Sequence, residues 1–347
     1  MDQRKRLILK EIVDYYIKTG EPVSSQTLLE KYNLSLSSAT IRNEMKDLEK
    51  MGYLKKSWSS SGRLPTAKGI RFFVDWLLEL SELSHRPQHA LLEAYGFQRL
   101  RLDDLFQQTA FLLASLTGHL GFVLAPSLDQ TELEAISLTK LDDQNALAVL
   151  ITNLGIVESR LIATALPPES LAKIARLLTR RLRGQRLSEL RRESAHEIEG
   201  WSDPVTQDAF LILRELLRPQ RLQRQLYTEG LPQLLRTVLT WESALDEVRH
   251  LMSLLDDEVH FAEIIRERRA GVGGISALIG EESGRRELER YSLICLDYGY
   301  GGALGLLGPI RMDYSRSIST TQYIGNRLRA ILSISQHQTR RTVEEVQ

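Results

Sequence analysis

Polar and basic side chains line one face of the segment formed by residues 37–54. Ile41, Met45 and Leu48 fall at helical spacing, Ser37 is a good N-cap and Gly52 suits a helix end, so the segment predicts an amphipathic helix. Its other face carries Ser38, Arg42, Asn43, Lys46, Glu49 and Lys50. Guanidinium and amide groups can pair with base edges, and ammonium groups with phosphates. These side chains could reach phosphates and base edges if the helix lay in a DNA major groove, although the helix alone is a weak signal for DNA binding.

The flanking segments supply the elements that would position this helix. Residues 22–32 predict a short amphipathic helix and residues 33–36 a turn, so the pair is typical of a helix-turn-helix. Residues 55–66 form two short runs around a Ser/Gly tip, which is typical of the basic hairpin, or wing, of winged-helix proteins. Residues 4–18 predict the first helix of the same domain, and a further helix begins after Thr66, a fair N-cap.

Eight residues are the predicted DNA contacts. We expect Arg42 and Asn43 to reach base edges, with Ser38, Thr40 and Lys46 nearby on the helix. The wing residues Lys55, Lys56 and Arg63 would hold phosphates and set the register. The competing interpretation of Arg42 and Asn43 is an ordinary solvated helix face.

The charge is unevenly distributed along a chain whose formal net charge is zero. Residues 1–73 contain 14 Lys and Arg against 8 Asp and Glu, a net charge of +6, which leaves −6 on the remaining residues. A basic N-terminal segment is consistent with a polyanionic partner at that end of the chain. The arginines between residues 176 and 192 are interleaved with glutamates, so a solvated helix face is favoured there over a second nucleic-acid patch.

The rest of the chain predicts a mixed α+β protein with more than one domain. Residues 81–90 predict a linker and residues 91–116 a long amphipathic helix, followed by a short strand at residues 120–125. Three strand-like runs joined by tight turns then predict an antiparallel meander, and residues 167–219 are helical throughout in pattern. Further helices and strands follow, with a last helix at residues 320–333. Strands before and after a self-contained block indicate one α+β domain interrupted by an insertion.

Residue patterns typical of enzymes are missing from the sequence. The glycine-rich stretches at residues 271–274 and 299–302 do not complete a dinucleotide or phosphate-loop motif, so turns are the favoured interpretation. The histidines are scattered, and His85 and His89 lack the context of a zinc protease. Cys295 is alone and sits in an apolar run that predicts a buried strand. We predict no catalytic residues, cofactor or metal, and a protein that is not an enzyme.

Two groups of motifs resemble one protein family. Near the N-terminus these are Gly-Glu-Pro-Val at 20–23, Ser-Ala-Thr-Ile-Arg-Asn-Glu-Met at 38–45 and Ser-Gly-Arg-Leu-Pro-Thr-Ala-Lys-Gly at 61–69. Near the C-terminus they are Ile-Gly-Glu-Glu at 279–282 and Gly-Pro-Ile-Arg-Met-Asp-Tyr-Ser at 308–315. Together they resemble HrcA, the bacterial heat-inducible transcription repressor family. The wing tip departs from the family pattern, with Trp58 where histidine is usual, and Ser38 replaces a common proline.

The resemblance implies a three-part architecture and a set of partners. It implies a winged helix-turn-helix domain at residues 1–75, a connecting helix and linker at 76–90, and a GAF-like α+β domain at 91–127 and 224–340. The GAF-like domain would be interrupted at 128–223 by an inserted dimerisation domain of three antiparallel strands plus helices. It further implies a homodimer that binds an inverted-repeat operator in double-stranded DNA upstream of heat-shock chaperone operons, with activity modulated by heat and by the GroEL chaperonin.

The sequence also predicts where the protein is located, and it leaves one alternative function open. The N-terminus leads straight into an amphipathic pattern and no apolar run is long enough to span a bilayer, so we expect a cytoplasmic protein without a membrane partner. The alternative function is a small-molecule-sensing transcriptional regulator that holds a ligand in the GAF-like domain. A deep apolar pocket with a few convergent polar groups would favour that alternative.

Overall fold

The N-terminal part of the chain forms three helices, a two-stranded hairpin and a fourth helix. The computed structural model describes residues 1–32, 36–57, 62–78, 101–193, 204–218, 225–241 and 244–346, with side chains omitted at 204–205 and 335–346. In the N-terminal part it contains α1 (Gln3–Thr19), α2 (Ser25–Lys31), α3 (Ser38–Lys50), β1 (Leu54–Lys56), β2 (Arg63–Pro65) and α4 (Ala67–Phe72), which continues as one π-helical turn, Phe73–Leu77. The wing tip at residues 58–61, which contains Trp58, and the predicted linker at residues 81–90 lie outside the described residues.

All four N-terminal helices begin at a side chain that accepts a backbone N–H. The N-caps are Asp2, Ser24, Ser37 and Thr66. A capping oxygen satisfies one of the donors that the first helical turn leaves unpaired, so these residues fix where each helix starts. The predicted caps Ser37 and Thr66 are thereby confirmed.

One small apolar core joins these helices to the hairpin. The predicted face of α3 is confirmed, since Ile41 and Leu48 are fully buried and Met45 is nearly so. They pack with buried residues of α1 and α2, among them Ile12. The hairpin strands β1 and β2 are antiparallel, and β2 is also bonded to the chain before α2 through Val23. The helices α1 and α2 and the hairpin thus hold α3 by its apolar side.

A five-stranded antiparallel sheet forms the centre of the rest of the molecule. Its strands are β3 (Leu120–Leu124), β7 (Leu226–Glu229), β8 (Ile275–Ile279), β9 (Tyr291–Gly299) and β10 (Gly302–Pro309), in the order β7-β3-β10-β9-β8. On one face lie the helices Leu102–Thr117 and Tyr314–Val346. On the other lie Leu231–Val238, Ala244–Asp256 and Glu258–Glu267. Because both faces are covered, every residue of β3, β9 and β10 is buried.

A separate three-stranded meander is built from the chain between β3 and β7. Its strands are β4 (Leu133–Lys140), β5 (Asn145–Thr152) and β6 (Val157–Ala163), all antiparallel, which confirms the predicted meander. The helices Pro168–Leu182, Leu187–Glu193 and Pro204–Leu216 cover one of its faces. The five-stranded sheet is therefore assembled from segments on both sides of this unit.

Two predicted helices have different bounds in the structure. The predicted continuous helical region at residues 167–219 is wrong, because the chain leaves the helix after Leu182 and Gly184 adopts a positive φ of 83°. There the Gly184 N–H donates to the Leu133 carbonyl at 2.8 Å, which adds a sheet contact. The last helix is longer than predicted and begins at Tyr314, where the Asp313 carboxylate accepts from the Arg316 N–H at 3.0 Å. Asp313 caps this helix, and the serine-rich residues that follow it made the start of the helix hard to predict.

Cys295 lies on β9 and is buried, as its apolar neighbours predicted. Burial raises the pKa of its thiol to about 12. Among the described helices, none is both long and apolar enough to cross a membrane.

Candidate nucleic-acid interface

The exposed face of α3 presents the side chains predicted to read bases. Arg42, Asn43 and Lys46 are all exposed, while Ile41 and Met45 beside them are buried in the core. The cap at Ser37, whose hydroxyl accepts from the Thr40 N–H at 3.1 Å, sets the start of the helix and hence the direction of this face. The structure therefore brings together a guanidinium, an amide and an ammonium group within little more than one helical turn.

Ser38 and Thr40 take part in contacts that hold the start of α3. The Ser38 hydroxyl lies 3.3 Å from that of Ser25 on α2, and the Thr40 hydroxyl lies 2.8 Å from that of Ser37. Both side chains are partly exposed. The Ser38 contact couples α2 to α3, and the Thr40 contact stabilises the first turn of α3, at the end where this helix would approach DNA.

The hairpin presents Lys55 and Lys56 in the same unit. Both lysines are exposed on β1, and Lys56 pairs in register with Arg63 on β2. The side chain of Arg63 behaves differently from the lysines. Its Nε lies 2.8 Å from the Glu49 Oε2 at the end of α3, and only 18% of the side chain is exposed. Arg63 thus ties the hairpin to α3.

The acidic residues of α3 are paired with basic residues of other elements, Glu49 with Arg63 and the other two with Lys5. Lys5 of α1 places its Nζ 2.7 Å from Glu44, 3.2 Å from Asp2 and 3.6 Å from Asp47. The hydrogen bond to Glu44 is the largest of the effects that raise the Lys5 pKa. Because these carboxylates are paired with Lys5, the side of α3 that carries Arg42 and Lys46 keeps its positive potential.

Sequence reasoning missed the pairs Arg63–Glu49 and Lys5–Glu44. The partners in each pair lie on different elements, so no local spacing rule joins them. The +6 charge of the segment was the only available signal, and it does not say which charges are neutralised.

A cavity of about 240 Å³ lies between the two sheets, outside the basic unit. Arg160 and Arg191 line it, and both donate to backbone carbonyls at the C-terminal end of the helix Pro204–Leu216, including those of Glu215 and Leu217. These guanidiniums cap the helix where its dipole is negative. Glu158 is buried beside them, and burial raises the pKa of its carboxyl.

The glycine-rich stretches form turns at one end of the five-stranded sheet. Gly271, Gly273, Gly299 and Gly301 have positive φ angles, and the Gly273 N–H donates to the Asp297 carbonyl at 2.7 Å. This agrees with the interpretation favoured from the sequence. In the part of the chain that the structure describes, no three His, Cys, Asp or Glu side chains are placed to hold a metal ion.

Comparison with a protein-family model identifies the C-terminal part of the chain. The model described as the HrcA protein C-terminal domain matches residues 103–318, which is more than half of the chain. The match covers the five-stranded sheet and the meander.

Three solved structures align with nearly the whole chain. One, described as a hypothetical protein, is 26% identical with a TM-score of 0.59, and the match covers 96% of this chain and 98% of that one. HmgR of Pseudomonas aeruginosa is 12% identical with a TM-score of 0.19, over 93% and 97% of the two chains. The repressor BlcR of Agobacterium tumefaciens is 13% identical with a TM-score of 0.17, over 95% and 94%. Only the first is similar enough to support a shared overall fold.

Proposed function

The chain belongs to the HrcA family, and we propose that it represses heat-shock chaperone operons by binding an inverted-repeat operator as a dimer. Membership of this family supports a transcription regulator rather than an enzyme. The proposed DNA-binding domain is a winged helix-turn-helix at residues 1–75. We place the protein in the cytoplasm, where its operator would be.

The observation that carries this proposal is the exposed basic face of α3 beside the two lysines of the hairpin. We propose that Arg42 pairs with guanine and Asn43 with adenine, each contact discriminating by about 1–3 kcal/mol. Lys46 on α3 and Lys55 and Lys56 on the hairpin would bind phosphates, and all five side chains are exposed.

The remaining three predicted contacts support the interface in a different way. The hydroxyls of Ser38 and Thr40 stabilise the start of α3, and Arg63 holds the hairpin against it through Glu49. Direct contact of these three side chains with DNA stays a prediction.

A binding titration with two duplexes tests the assignment of Arg42. One duplex carries an inverted repeat of the family's operator type and the other is scrambled, and each is measured at several salt concentrations. Arg42→Ala should lose affinity for the operator by about tenfold or more and leave the scrambled duplex nearly unchanged. Lys56→Ala should weaken both and reduce the salt slope by about 1.

Lys18→Ala serves as the matched control, because Lys18 is exposed on α1 and pairs with Asp14 at 2.6 Å. It should bind both duplexes like the wild type. Equal losses on both duplexes for Arg42→Ala would make Arg42 a phosphate contact. Wild-type protein that does not prefer the operator, with or without chaperonin, would contradict the repressor function.

We further propose that residues 128–223 form a dimerisation domain inserted into a GAF-like domain at residues 91–127 and 224–340. The face of the meander opposite its helices carries exposed apolar side chains, and Val157 and Leu161 on β6 are 53% and 63% exposed. They pair in register with Ile151 and Leu147 of β5, so these four side chains form one patch. A contiguous exposed apolar patch is typical of a protein interface.

The oligomeric state of two variants tests this interface. Leu161→Asp places a charge in the patch and should convert the dimer to a monomer in analytical ultracentrifugation. Leu245→Asp is the control, because Leu245 is 81% exposed on a different unit. A Leu161→Asp protein that stays dimeric would place the interface elsewhere.

Heat and GroEL enter the proposal through stability. A domain built from three short helices and a hairpin has little stability in reserve, so a loss of about 1–2 kcal/mol changes the folded fraction several-fold. We propose that heating lowers the fraction able to bind the operator and that GroEL restores it. Operator binding after a heat step, with and without GroEL, measures both effects. Binding that changes with neither heat nor GroEL would contradict this proposal.

The alternative function, a regulator that senses a small molecule, has less support. The cavity between the two sheets is the candidate ligand space, and its arginines Arg160 and Arg191 already serve as helix caps. The cavity also lies outside the core of the five-stranded sheet, whereas the alternative function predicts a deep apolar pocket within the GAF-like domain.

A further inference from the structure

A charged clamp joins the N-terminal unit to the five-stranded sheet. Arg71 of α4 places its Nε 2.9 Å from the Glu282 Oε1 and its Nη2 2.6 Å from the Glu282 Oε2. The same Nη2 donates to the Ala277 carbonyl of β8, and Nη1 lies 3.2 Å from Asp75. A guanidinium that binds both oxygens of a carboxylate through two of its nitrogens is fixed in direction as well as in distance.

Glu282 is held ready for this contact by the turn that follows β8. Its Oε2 also accepts from the Ile279 N–H at 3.0 Å. Gly280 has a positive φ of 56°, and a Cβ there would lie 2.5 Å from the Ile310 Cδ1 and 2.9 Å from the Glu289 carbonyl oxygen. The close packing of this turn leaves the Glu282 carboxylate little freedom to follow a moving partner.

A second contact lies at the end of α1. Gly20 closes that helix with a φ of 75°, and a Cβ on it would lie only 2.3 Å from the Arg311 Nη1. The Arg311 guanidinium therefore rests directly on the Gly20 backbone. Burial raises the pKa of the neighbouring Tyr16, although the charges of Arg311 and Arg290 oppose the rise.

The apolar core continues between these two polar contacts. The same buried cluster contains Ile12 and Phe73 of the N-terminal unit together with Met312 and Tyr314, which follow β10. Tyr314 is almost fully buried, and its hydroxyl donates to the Ile310 carbonyl at 2.7 Å. A buried centre flanked by fixed polar contacts is the arrangement of a specific interface.

The two groups of motifs that resemble the HrcA family therefore meet at this interface. Gly20 belongs to the N-terminal motifs, whereas Glu282 and Arg311 belong to the C-terminal ones. The DNA-contact face of α3 lies outside it, because Arg42 and Lys46 stay exposed while the unit is docked. Docking fixes the orientation of the N-terminal unit and leaves its basic face accessible.

We infer that Arg71, Glu282 and Arg311 are positioning residues that hold each DNA-binding unit at a fixed angle and so set the distance between the two α3 helices of a dimer. This inference rests on the proposed function. A dimer with fixed α3 helices binds two half-sites at one spacing, and its second contact is favoured by a high effective concentration. Loosening the clamp removes that advantage and leaves binding to a single half-site intact.

Operators that differ only in half-site spacing test the inference. Arg71→Ala and Glu282→Gln should each lose about tenfold or more in affinity for the preferred spacing. They should bind a duplex with one half-site like the wild type and should discriminate less between spacings. Arg249→Ala is the control. Arg249 is 79% exposed on the helix Ala244–Asp256, and its ion pair is with Asp246 of the same helix.

A distance measurement separates this inference from the proposed function. Spin labels at Met51→Cys and Leu245→Cys, both exposed positions, report the distance between the two units in dimers diluted with unlabelled protein. Arg71→Ala should broaden that distance distribution, whether or not the protein binds the operator. An unchanged distribution, unchanged spacing preference, or an equal loss on the single half-site would overturn the positioning role.

Discussion

His119 links the stability of the sheet domain to pH. It lies between Gly118, which caps the end of the helix Leu102–Thr117, and Leu120, the first residue of β3. Its ring packs against the Gly308 backbone, where an added Cβ would lie 3.0 Å from two ring atoms. Burial lowers the pKa of His119 to about 4, with Arg316 adding to the effect and Asp313 opposing it. The folded protein therefore keeps this ring neutral at a pH where the unfolded chain protonates it.

The expected change follows from the difference between the two pKa values. The unfolded value is about 6.5, so below that pH the unfolded chain takes up a proton that the folded protein refuses, and stability falls until about pH 4. A shift of this size corresponds to about 2 kcal/mol of unfolding free energy at pH 5 relative to pH 7.5. The ring is partly exposed, and solvent screening reduces the expected loss to about 1 kcal/mol.

Urea unfolding followed by circular dichroism between pH 7.5 and 5 measures this loss. We compare the wild type with His119→Gln, which removes the titrating group and keeps a polar side chain at the site. The unfolding free energy of the wild type should fall by about 1 kcal/mol more than that of the variant over this range. Parallel curves would refute the reasoning, because every other titrating group is common to both proteins.

Two further substitutions test local features of the fold. Ser37→Ala removes the cap that accepts from the Thr40 N–H and should lower the unfolding free energy by about 1 kcal/mol, measured by urea unfolding; an unchanged midpoint would mean that another group replaces the cap. Gly305→Ala should destabilise far more than Gly118→Ala, because a Cβ on Gly305 would lie 1.8 Å from the Ile294 carbonyl oxygen while one on Gly118 meets nothing within 4 Å. The control Gly118→Ala should lower the unfolding free energy by only about 1 kcal/mol, because of its positive φ. Equal losses for the two variants would contradict the close approach of the strands at Gly305.

Local signals made the N-terminal unit and the meander predictable from the sequence. Ser37, the Ile41 spacing and Gly52 act within one helix, and the tight turns at residues 142–145 and 153–155 pair neighbouring strands. In both places the interaction that decides the structure joins residues close in sequence. The exposed faces predicted for α3 and the hairpin followed from the same short-range patterns.

Long-range pairing limited what the sequence could predict. Arg71 and Glu282 are separated by 211 positions, and nothing near either residue identifies the other. The early start of the last helix was missed because Asp313 precedes a serine-rich run with low helix propensity, although Tyr314 and Ser317 are buried by tertiary packing. The break at Gly184 was missed because charged, leucine-rich segments continue the helical pattern on both sides.

The strand order of the five-stranded sheet also determines when its strands can pair during translation. β3 lies between β7 and β10, and translation at 5–20 residues per second completes β10 about 10–40 s after β3 has been made. Until β7 has been made the buried segment Leu120–Leu124 has neither of its neighbours, and until β10 is complete it has β7 alone. The meander, whose strands are consecutive, can form meanwhile. A nascent chain with an unpaired central strand is prone to aggregate and is suited to a chaperone that shields apolar segments until translation ends.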